Sequence, residues 1–473
     1  MEVNSAKIAK ATIWYTISNI ILRGISLFTA PIFTRLLSTT DYGIAGNFVS
    51  WCSIVSCFTE LGLSTAILRG KIDFRKEYKF FLSSIQTLEI IWSTFFSLII
   101  FLSIDFWVKF MIMDKICIVV MLIYLTFYPA VTNIQIDYRF DYKYKQIVAI
   151  SVLNTIGTVG CSLGLIFYWK NQRYLGRIMG MVLPSVILGL IFAIKILREG
   201  KNRVNIEYWR YALKLSLPMI PHGLAMIVLG QIDRIMIVKF CGESKAGIYT
   251  FGYSYAILIS IITNAISDAV KPQQYEMLEN RKIKQLAEFS YKLIFLGVLL
   301  SVVLIGVAPE ALRILGTEEY YDSRWVIFPV AIGTIMQYMY QFFGTVEIYC
   351  RKTYFMALGS IGAAFLNYYL NLWLIPQYGY IAAAYTTLIS YIILMYFHYF
   401  ASRFSYKNEI YNFLIVSSIS IVAVGVGFGL NMLYNTTFLL RYTVLIIVII
   451  VTSYVLRDTI KSVMSQFRKS KKV

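Results

Sequence analysis

Long apolar segments constrain the fold of this 473-residue chain more than any other feature. Runs of 15 to 25 mostly apolar residues recur along its whole length, and short polar connections separate them. A helix needs about 20 such residues to cross the hydrocarbon core of a lipid bilayer. Because helices satisfy their backbone hydrogen bonds internally, these repeated runs predict a bundle of membrane-spanning helices.

The number of runs and the positions of the basic residues predict an orientation. Fourteen runs qualify as spans, so both termini are expected on the same side of the membrane. Connections on that side contain 31 of the 44 Lys and Arg residues, and the opposite connections contain 11. Under the positive-inside rule both termini are predicted to be cytoplasmic, in a bacterial cytoplasmic (inner) membrane. The runs are centred near Asn19, Ser53, Trp92, Tyr124, Thr158, Leu183, Met226, Ala256, Val298, Ile335, Ala364, Ile389, Val422 and Ile447.

Composition argues against several other classes of protein. Hydrophobic residues make up 58% of the chain and charged residues 15%, whereas a soluble chain contains roughly 45 to 50% and about 25%. The net charge of +19 is explained by the basic connections, which are expected to contact anionic membrane lipids, so no nucleic-acid partner is predicted. Two histidines and six cysteines without CxxC spacing predict neither a metal centre nor another cofactor. The short connections cannot hold a soluble catalytic domain, so the protein is not predicted to be an enzyme.

An internal repeat predicts how the spans are grouped. The connection Arg35–Gly46 can be laid on Lys239–Thr250 at a constant offset of 204 residues, which matches Gly43 to Gly247. The same offset places the first two spans on the seventh and eighth. Repeats of this kind occur in transporters, where the substrate site lies between the two halves.

The fold class expected from these features is an all-α polytopic membrane protein with about 14 transmembrane helices. Two pseudo-symmetric six-helix lobes, residues 1–200 and 201–405, would surround a central cavity. Residues 406–473 would add two further helices and a basic cytoplasmic tail. The basic, periodic segment at 271–290 is predicted to form an amphipathic helix along the membrane surface.

Three segments of the chain carry a family resemblance. LPMIPHGLAMIVLGQIDRIMIV followed by AGIYTFGYSYA resembles the seventh and eighth helices of Wzx-type polysaccharide flippases, which belong to the multidrug/oligolipid/polysaccharide exporter superfamily. The segment PIFTRLLSTTDYGIAGNF resembles their first connection. The segment LNYYLNLWLIPQYGYIAAAYTTLISYI resembles their eleventh and twelfth helices.

The resemblance implies a function as a flippase. Such a protein moves an undecaprenyl-pyrophosphate-linked oligosaccharide from the cytoplasmic to the outer leaflet, for O-antigen (lipopolysaccharide) or capsule synthesis. Reorientation would be biased by H+ or Na+, and a polysaccharide polymerase and a chain-length regulator are possible partners. One alternative is a cation-coupled multidrug antiporter of the same superfamily. A membrane polysaccharide polymerase or glycosyltransferase is a weaker alternative.

Charged side chains within or beside the apolar runs are the candidate site residues, because an ion in the hydrocarbon core costs at least ~2.5 kcal/mol. A pyrophosphate requires cationic partners, and an arginine offers up to five donors. Arg23 and Arg234 are therefore predicted to bind the substrate within the membrane, and Arg35 and Lys239 at its outer mouth. Arg23 could instead form a structural ion pair with Glu60.

Acidic residues and prolines complete the list. Asp233, Glu60 and Asp268 are predicted to bind a coupling ion or to form structural ion pairs. Asp233 and its neighbour in sequence, Arg234, project about 100° apart on a helix, so we expect them to have different partners. Pro218 and Pro221 are predicted to bend the seventh helix, as a hinge or as a static kink. Asn367 and Asn371 are expected to form hydrogen bonds between helices.

Overall fold

The computed structural model of the protein describes residues 29–201, 204–407, 409–436 and 438–450. Arg23 and the span predicted near Asn19 lie outside these residues, as does most of the basic tail. All regular secondary structure in the described ranges is helical, with no strand among them. The predicted all-α class is therefore confirmed.

The chain divides into two compact units, Met1–Thr250 (unit 1) and Phe251–Val473 (unit 2). The lobe boundaries at 200 and 405 follow from the repeat rather than from compactness, and they stay predictions. Helices of unit 1 are α1 (Thr39–Thr59), α2 (Leu63–Asp73), α3 (Tyr78–Leu102), α4 (Ile104–Met111), α5 (Lys115–Phe127), α6 (Pro129–Phe140), α7 (Tyr144–Tyr168), α8 (Arg173–Gly200), α9 (Ile206–Ser216) and α10 (Ile220–Cys241).

Helix α11 (Glu243–Ala256) contains the boundary between the units. The remaining helices form unit 2. They are α12 (Leu258–Glu279), α13 (Ile283–Gly306), α14 (Ala308–Leu315), α15 (Arg324–Tyr349), α16 (Tyr354–Tyr378), α17 (Ile381–Tyr406), α18 (Phe413–Met432) and a short apolar helix, α19 (Phe438–Ile450).

Ten helices in the described part of the chain are long and apolar enough to cross a membrane. An eleventh is the pair α1 and α2 taken as one span, although 47° separates their axes. The predicted centre near Ile447 falls on α19, which is shorter than a full span, and the centre near Met226 falls on the 22-residue α10. The chain is thus a multi-pass membrane protein, while the predicted number of fourteen spans is not confirmed.

The bend between α1 and α2 has a local cause. Leu61 and Gly62 between the two helices have φ angles of 50° and 63°, in the left-handed region. Glycine reaches this region without the steric cost that a Cβ atom brings. The chain therefore changes direction immediately after Glu60, the C-cap residue of α1.

The glycines matched by the repeat lie in direct contact within unit 1. A Cβ atom added to Gly43 on α1 would overlap the carbonyl oxygen of Glu243, and one added to Gly247 on α11 would overlap that of Thr39. The hydroxyls of Thr39 and Ser244 lie 2.8 Å apart beside these contacts. The contact is reciprocal, because each connection presents its glycine to the first turn of the other helix.

The segment predicted to lie along the membrane surface is instead divided between two long helices. Its first part continues α12 to Glu279, and its last part begins α13 at Ile283. Arg281, between them, has a φ of 53° and separates the helices. Leu278 and Leu286 are 1% and 0% exposed, so this apolar face packs against protein rather than lipid, and the prediction of a surface helix was wrong.

Unit 2 is organised around α15, which is buried along most of its length, with residues such as Ile332, Ile335 and Phe343 fully enclosed by protein. Two asparagines connect the neighbouring helices α16 and α17. Asn367 donates to the hydroxyl of Thr387 at 3.2 Å, and Asn371 donates to the side-chain oxygen of Asn367 at 3.1 Å. Asn371 also accepts a hydrogen bond from Thr386. The predicted role of both asparagines in joining helices is confirmed.

The glycine contact generates the first prediction. Gly43→Ala and Gly247→Ala should each destabilise the protein by about 1 to 3 kcal/mol, because the added methyl must displace backbone of the facing helix. Thermal unfolding of the purified protein in detergent measures the effect. Gly230→Ala on α10 is the control, since a Cβ atom there meets nothing within 4 Å. Equal melting temperatures for all three variants would contradict the interpretation.

Candidate functional site

A cavity of about 440 Å³ lies within unit 1, between α1, α5, α7 and α8. Part of its wall is apolar, formed by residues such as Phe48, Leu125 and Val182. The polar part includes two tyrosines, one cation, one carboxylate and a set of hydroxyl side chains. The serines and threonines among the lining residues are Thr29, Ser53, Ser56, Thr155, Thr158 and Ser185.

Most of these hydroxyls donate to backbone oxygens of the helices that carry them. Ser53 donates to the carbonyl oxygen of Val49 at 2.8 Å, and Thr155 donates to that of Ser151 at 2.8 Å. These two donors are thus used by the residue's own helix, whereas the hydroxyl of Ser185 on α8 lies 3.0 Å from the side-chain oxygen of Asn154 on α7. The hydroxyl oxygens keep lone pairs that can accept. The wall can therefore accept hydrogen bonds from hydroxyl groups of a ligand or coordinate a cation.

Arg177 supplies the cation of this cavity. It lies in the second turn of α8, and its Nη1 donates to the hydroxyl of Ser162 on α7 at 3.1 Å. The guanidinium carbon lies 3.8 Å from the ring centroid of Phe33, which is a cation–π contact. One neutral hydrogen bond and one ring hold the group in place and leave other N–H donors for a ligand.

Glu60 supplies the carboxylate. It caps the C-terminal end of α1, where the helix dipole disfavours a negative charge, and its side chain is half-buried. Its carboxylate has no hydrogen bond or ion pair with another described residue. The ion pair predicted between Glu60 and Arg23 involves a residue outside the described ranges. The cavity thus combines an arginine and a carboxylate that do not form an ion pair with each other.

Asp233 and Arg234 lie on α10 in the same unit, and both are buried, with exposures of 1% and 7%. Asp233 accepts a hydrogen bond of 2.6 Å from the hydroxyl of Tyr249 on α11. Arg234 donates to its own helix, at Gly230 O (2.9 Å) and at the side-chain oxygen of Gln231 (3.0 Å). The two side chains have different partners, as the 100° separation predicts.

A bridge connects this pair to α1. The side-chain oxygen of Gln231 that accepts from Arg234 also accepts from the hydroxyl of Ser50 at 3.1 Å. Ser50 is fully buried on α1, two residues before Cys52, which lines the cavity. The polar residues of α10 therefore reach the helix that forms the cavity wall, although Arg234 is not itself among the lining residues.

The other predicted residues lie elsewhere. Arg35 and Lys239 are exposed, and Nη1 of Arg35 donates to Pro31 O at 2.8 Å. Asp268 belongs to unit 2, where it is exposed and pairs with Lys271 at 2.7 Å. A 3-10 turn, Leu217–Met219, contains Pro218, and Pro221 lies in the first turn of α10. The prolines thus mark the junction between α9 and α10, and their predicted role as a hinge or a static kink stays a prediction.

Sequence reasoning missed two ionisable residues of unit 1. Arg177 was counted among the basic residues of an outer connection, although α8 carries it into the cavity wall. Glu89 is 3% exposed on α3, and Asn133 on α6 donates to it at 2.6 Å. A single Glu in an apolar run was the available signal for Glu89. Arg177 becomes visible as a candidate only when the span centred near Leu183 is taken to begin as early as Arg173, so that Arg177 lies within the helix.

An ionic cluster lies at the end of unit 1 that is predicted to be cytoplasmic. Lys71 pairs with Asp137 and, at 3.1 Å, with Asp141, and its ammonium lies 4.2 Å from the ring centroid of Tyr78. Burial alone would raise the pKa of Asp141, but hydrogen bonds from Lys143 and Lys71 outweigh this effect and lower it. These pairs connect the ends of α2, α3 and α6.

Fold and site together define a helical membrane transporter-like protein. The family described as polysaccharide biosynthesis protein matches residues 8–278, which is more than half of the chain, and the chain belongs to this family. A Haemophilus influenzae protein, Lsg locus putative protein 1, is 25% identical over 235 residues, covering 45% of this chain and 56% of that protein. The Staphylococcus aureus capsular polysaccharide biosynthesis protein CapF is 24% identical over 204 residues, covering 42% and 52%. The chain spans about half the length of the curated relatives it matches.

Solved structures show the same fold over most of the chain. The inward closed conformation of the lipid II flippase MurJ has a TM-score of 0.75 at 16% identity, covering 95% of this chain and 100% of that one. An inward-facing multidrug resistance MATE family transporter of the MOP superfamily has a TM-score of 0.59 at 12% identity, covering 84% and 94%. The expected family, that of polysaccharide biosynthesis proteins, is thus confirmed, and the expected fold is the one that the flippase MurJ and the MATE transporter share.

The contact between Asp233 and Tyr249 generates the second prediction. Tyr249→Phe should destabilise the protein by about 1 to 3 kcal/mol, because a buried carboxylate loses a donor at constant ring packing. Thermal unfolding in detergent provides the measurement. Tyr168→Phe is the matched control, since Tyr168 is 78% exposed at the end of α7. A melting temperature for Tyr249→Phe equal to that of the control would show that the hydrogen bond contributes nothing.

Proposed function

We propose that this protein is a flippase, and not an enzyme, that moves an undecaprenyl-pyrophosphate-linked oligosaccharide from the cytoplasmic to the outer leaflet. The product would enter O-antigen or capsule synthesis. Membership of the polysaccharide biosynthesis family and the flippase-like fold support the proposal. We further propose that the membrane is the bacterial cytoplasmic membrane and that both termini are cytoplasmic, as the distribution of basic residues indicates.

The polar cavity of unit 1 is the observation that carries the proposal. Its volume of about 440 Å³ lies within the range of sites for small molecules, roughly 300 to 1,000 Å³. A pyrophosphate and the adjacent part of a glycan need charged donors beside hydroxyl and aromatic partners. Arg177 supplies donors, while the serines, threonines and tyrosines of the wall supply the other partners.

The cationic residues are assigned different parts of this task. We propose that Arg177 contacts the phosphate directly, because its guanidinium is held by a ring and one hydroxyl, with donors left over. Arg23 and Arg234 remain candidate contacts within the membrane, and Arg35 and Lys239 remain candidate contacts at the outer mouth. A polysaccharide polymerase and a chain-length regulator would be downstream partners.

A coupling ion forms the second part of the proposal. Glu60 can bind H+ or Na+, because its carboxylate lies in the cavity wall without a described ion pair, among hydroxyl oxygens. Asp233 is the other candidate within this unit, although it accepts a hydrogen bond from Tyr249. Asp268, with its exposed pair to Lys271, is better suited to a structural role.

A cation-coupled multidrug antiporter is the second candidate function. The likeness to the MATE transporter and the presence of Glu60 in the cavity favour it, since a carboxylate attracts cationic drugs. Arg177 in the same cavity opposes it, because a fixed guanidinium repels such compounds. The flippase therefore requires the positive charge of Arg177 to dominate the cavity, and the antiporter requires the negative charge of Glu60 to dominate it.

The third prediction tests the phosphate contact. In inverted membrane vesicles, Arg177→Ala should slow transfer of an undecaprenyl-pyrophosphate-linked glycan by about 10- to 100-fold, the equivalent of one lost charge-assisted hydrogen bond. Arg177→Lys should retain part of the rate because it keeps the charge. Lys170→Ala, at an exposed position, is the control at matched expression. A wild-type protein that does not speed transfer overturns the flippase proposal, and an active Arg177→Ala variant overturns only the assignment of Arg177.

The fourth prediction separates the two candidate functions. Expression of the wild-type protein in a drug-sensitive bacterial strain should leave its resistance to cationic drugs unchanged, because Arg177 disfavours cationic ligands. The measurement is growth inhibition across a panel of such drugs, with Glu60→Gln expressed in parallel. Resistance that rises several-fold with the wild type and disappears with Glu60→Gln would establish the antiporter instead.

A further inference from the structure

Unit 2 contains a buried pair of ionisable side chains that the proposed function does not use. Nδ1 of His398 on α17 lies 2.8 Å from Oε1 of Glu347 on α15. The side chains are 1% and 0% exposed. Ionisable residues at such depth within spanning helices are costly, and they commonly mark an ion pathway or a proton relay.

The surroundings fix the imidazole ring in one place. The ring of Tyr340 stacks on that of His398, with centroids 5.0 Å apart and planes 26° apart. Phe397 meets the same ring edge-on at 5.4 Å. On α16, Gly359 allows the other ring nitrogen to approach, because a Cβ atom there would lie 2.8 Å from Nε2. The pair is thus held by three helices.

One atom of the pair lacks a hydrogen-bond partner. Oε2 of Glu347 is buried and accepts no hydrogen bond, whereas Oε1 faces His398. A buried carboxylate with one bare oxygen is poorly stabilised as an isolated anion. A proton held between Oε1 of Glu347 and Nδ1 of His398 lowers this cost, because the pair is then neutral overall, while Oε2 still has no hydrogen-bond partner.

Loss of that proton would leave a net negative charge inside the unit. With the imidazole neutral, the carboxylate would keep a single partner and an unsatisfied oxygen, at a cost that only hydration or a new donor can offset. Water can reach the carboxylate only if the packing of α15 against α17 loosens, because both side chains are fully buried. Occupancy of the pair by a proton is therefore linked to closure of this helix contact.

Glu347 lies near the C-terminal end of its helix, whereas His398 is eight residues from Tyr406, the last residue of α17. Glu347 is three residues from Cys350, the C-cap of α15, and this corresponds to about 5 Å of helix. The described charged groups at this end include Arg351 beside the C-cap of α15 and Lys407 at the C-cap of α17. They also include Lys352, which packs over Phe404 at 4.5 Å, and Arg403, which pairs with Glu409 at 3.6 Å. A proton thus has a short path to the polar surface.

We propose that Glu347 and His398 form a binding site for a single proton in unit 2, and that the bound proton stabilises the contact between α15 and α17. On release, His398 loses the proton from its imidazolium to solvent, and the carboxylate of Glu347 remains as the anion. On uptake, the imidazole regains the proton, and the pair returns to zero net charge. The proposal goes beyond glycan movement and does not depend on it.

Histidine NMR of the protein in detergent tests the proposal directly. The chain has two histidines, so ¹⁵N-histidine labelling gives two sets of ring signals, and His222→Gln assigns them. Spectra are recorded from pH 5 to 9, and the midpoint of proton release is read from the His398 ring signals. Glu347→Gln should move that midpoint to lower pH, because a neighbouring carboxylate favours the charged imidazole. A His398 ring with constant charge across this range overturns the proposal, as does a midpoint unaffected by Glu347→Gln.

Thermal unfolding gives a second readout that needs no assignment. In the wild type, the proton-bound form stabilises the fold, so the melting temperature should fall as pH rises from 6 to 8. His398→Gln retains hydrogen-bonding capacity without titrating, and its pH dependence should be smaller. The matched control is His222→Gln, which should keep the wild-type dependence. Identical pH profiles for both variants would overturn the link between proton and fold. Neither experiment requires transport, so failure of the flippase proposal leaves both outcomes interpretable.

Discussion

Two backbones in direct contact at Gly43 and Gly247 are the constraint on which the arrangement of unit 1 depends. Each glycine lies against the carbonyl oxygen of the first turn of the other helix, so α1 and α11 approach more closely than any residue with a Cβ atom permits. In a bilayer, helices gain little from burying apolar surface against each other. Close backbone packing of small residues therefore supplies much of the association.

The same contact explains why α10 can carry charge. With α11 held against α1, Tyr249 donates to Asp233, while Ser50 shares the acceptor of Gln231 with Arg234. Asp233 is thus stabilised by a donor from α11, and Arg234 by acceptors on its own helix, one of which, Gln231, also connects α10 to α1. Removing the small residues would separate these partners before it affected the apolar core.

Much of this architecture could be predicted from the sequence, since apolar runs and repeats are local patterns. The repeat matched Gly43 to Gly247 from identity and spacing alone, and the asparagines at 367 and 371 follow from polarity inside an apolar run. The surface helix predicted at 271–290 failed because helical periodicity shows that one face is apolar but does not show what covers it. Leu278 and Leu286 are covered by protein.

The candidate site was less predictable, and the reason is physical. A charge in mid-span is visible in sequence, whereas Arg177 stands near a helix end, where an interfacial arginine is ordinary. What distinguishes it is the ring of Phe33 and the hydroxyl of Ser162, and both contacts depend on tertiary packing. His398 and Glu347 are 51 residues apart in sequence and meet only because α15 packs against α17. Such groups are therefore recognised by their tertiary surroundings rather than by their place in the sequence. Arg177, Glu60 and Glu347 each retain donors or acceptors that no other described residue uses, as several further buried polar atoms in the described part of the chain also do.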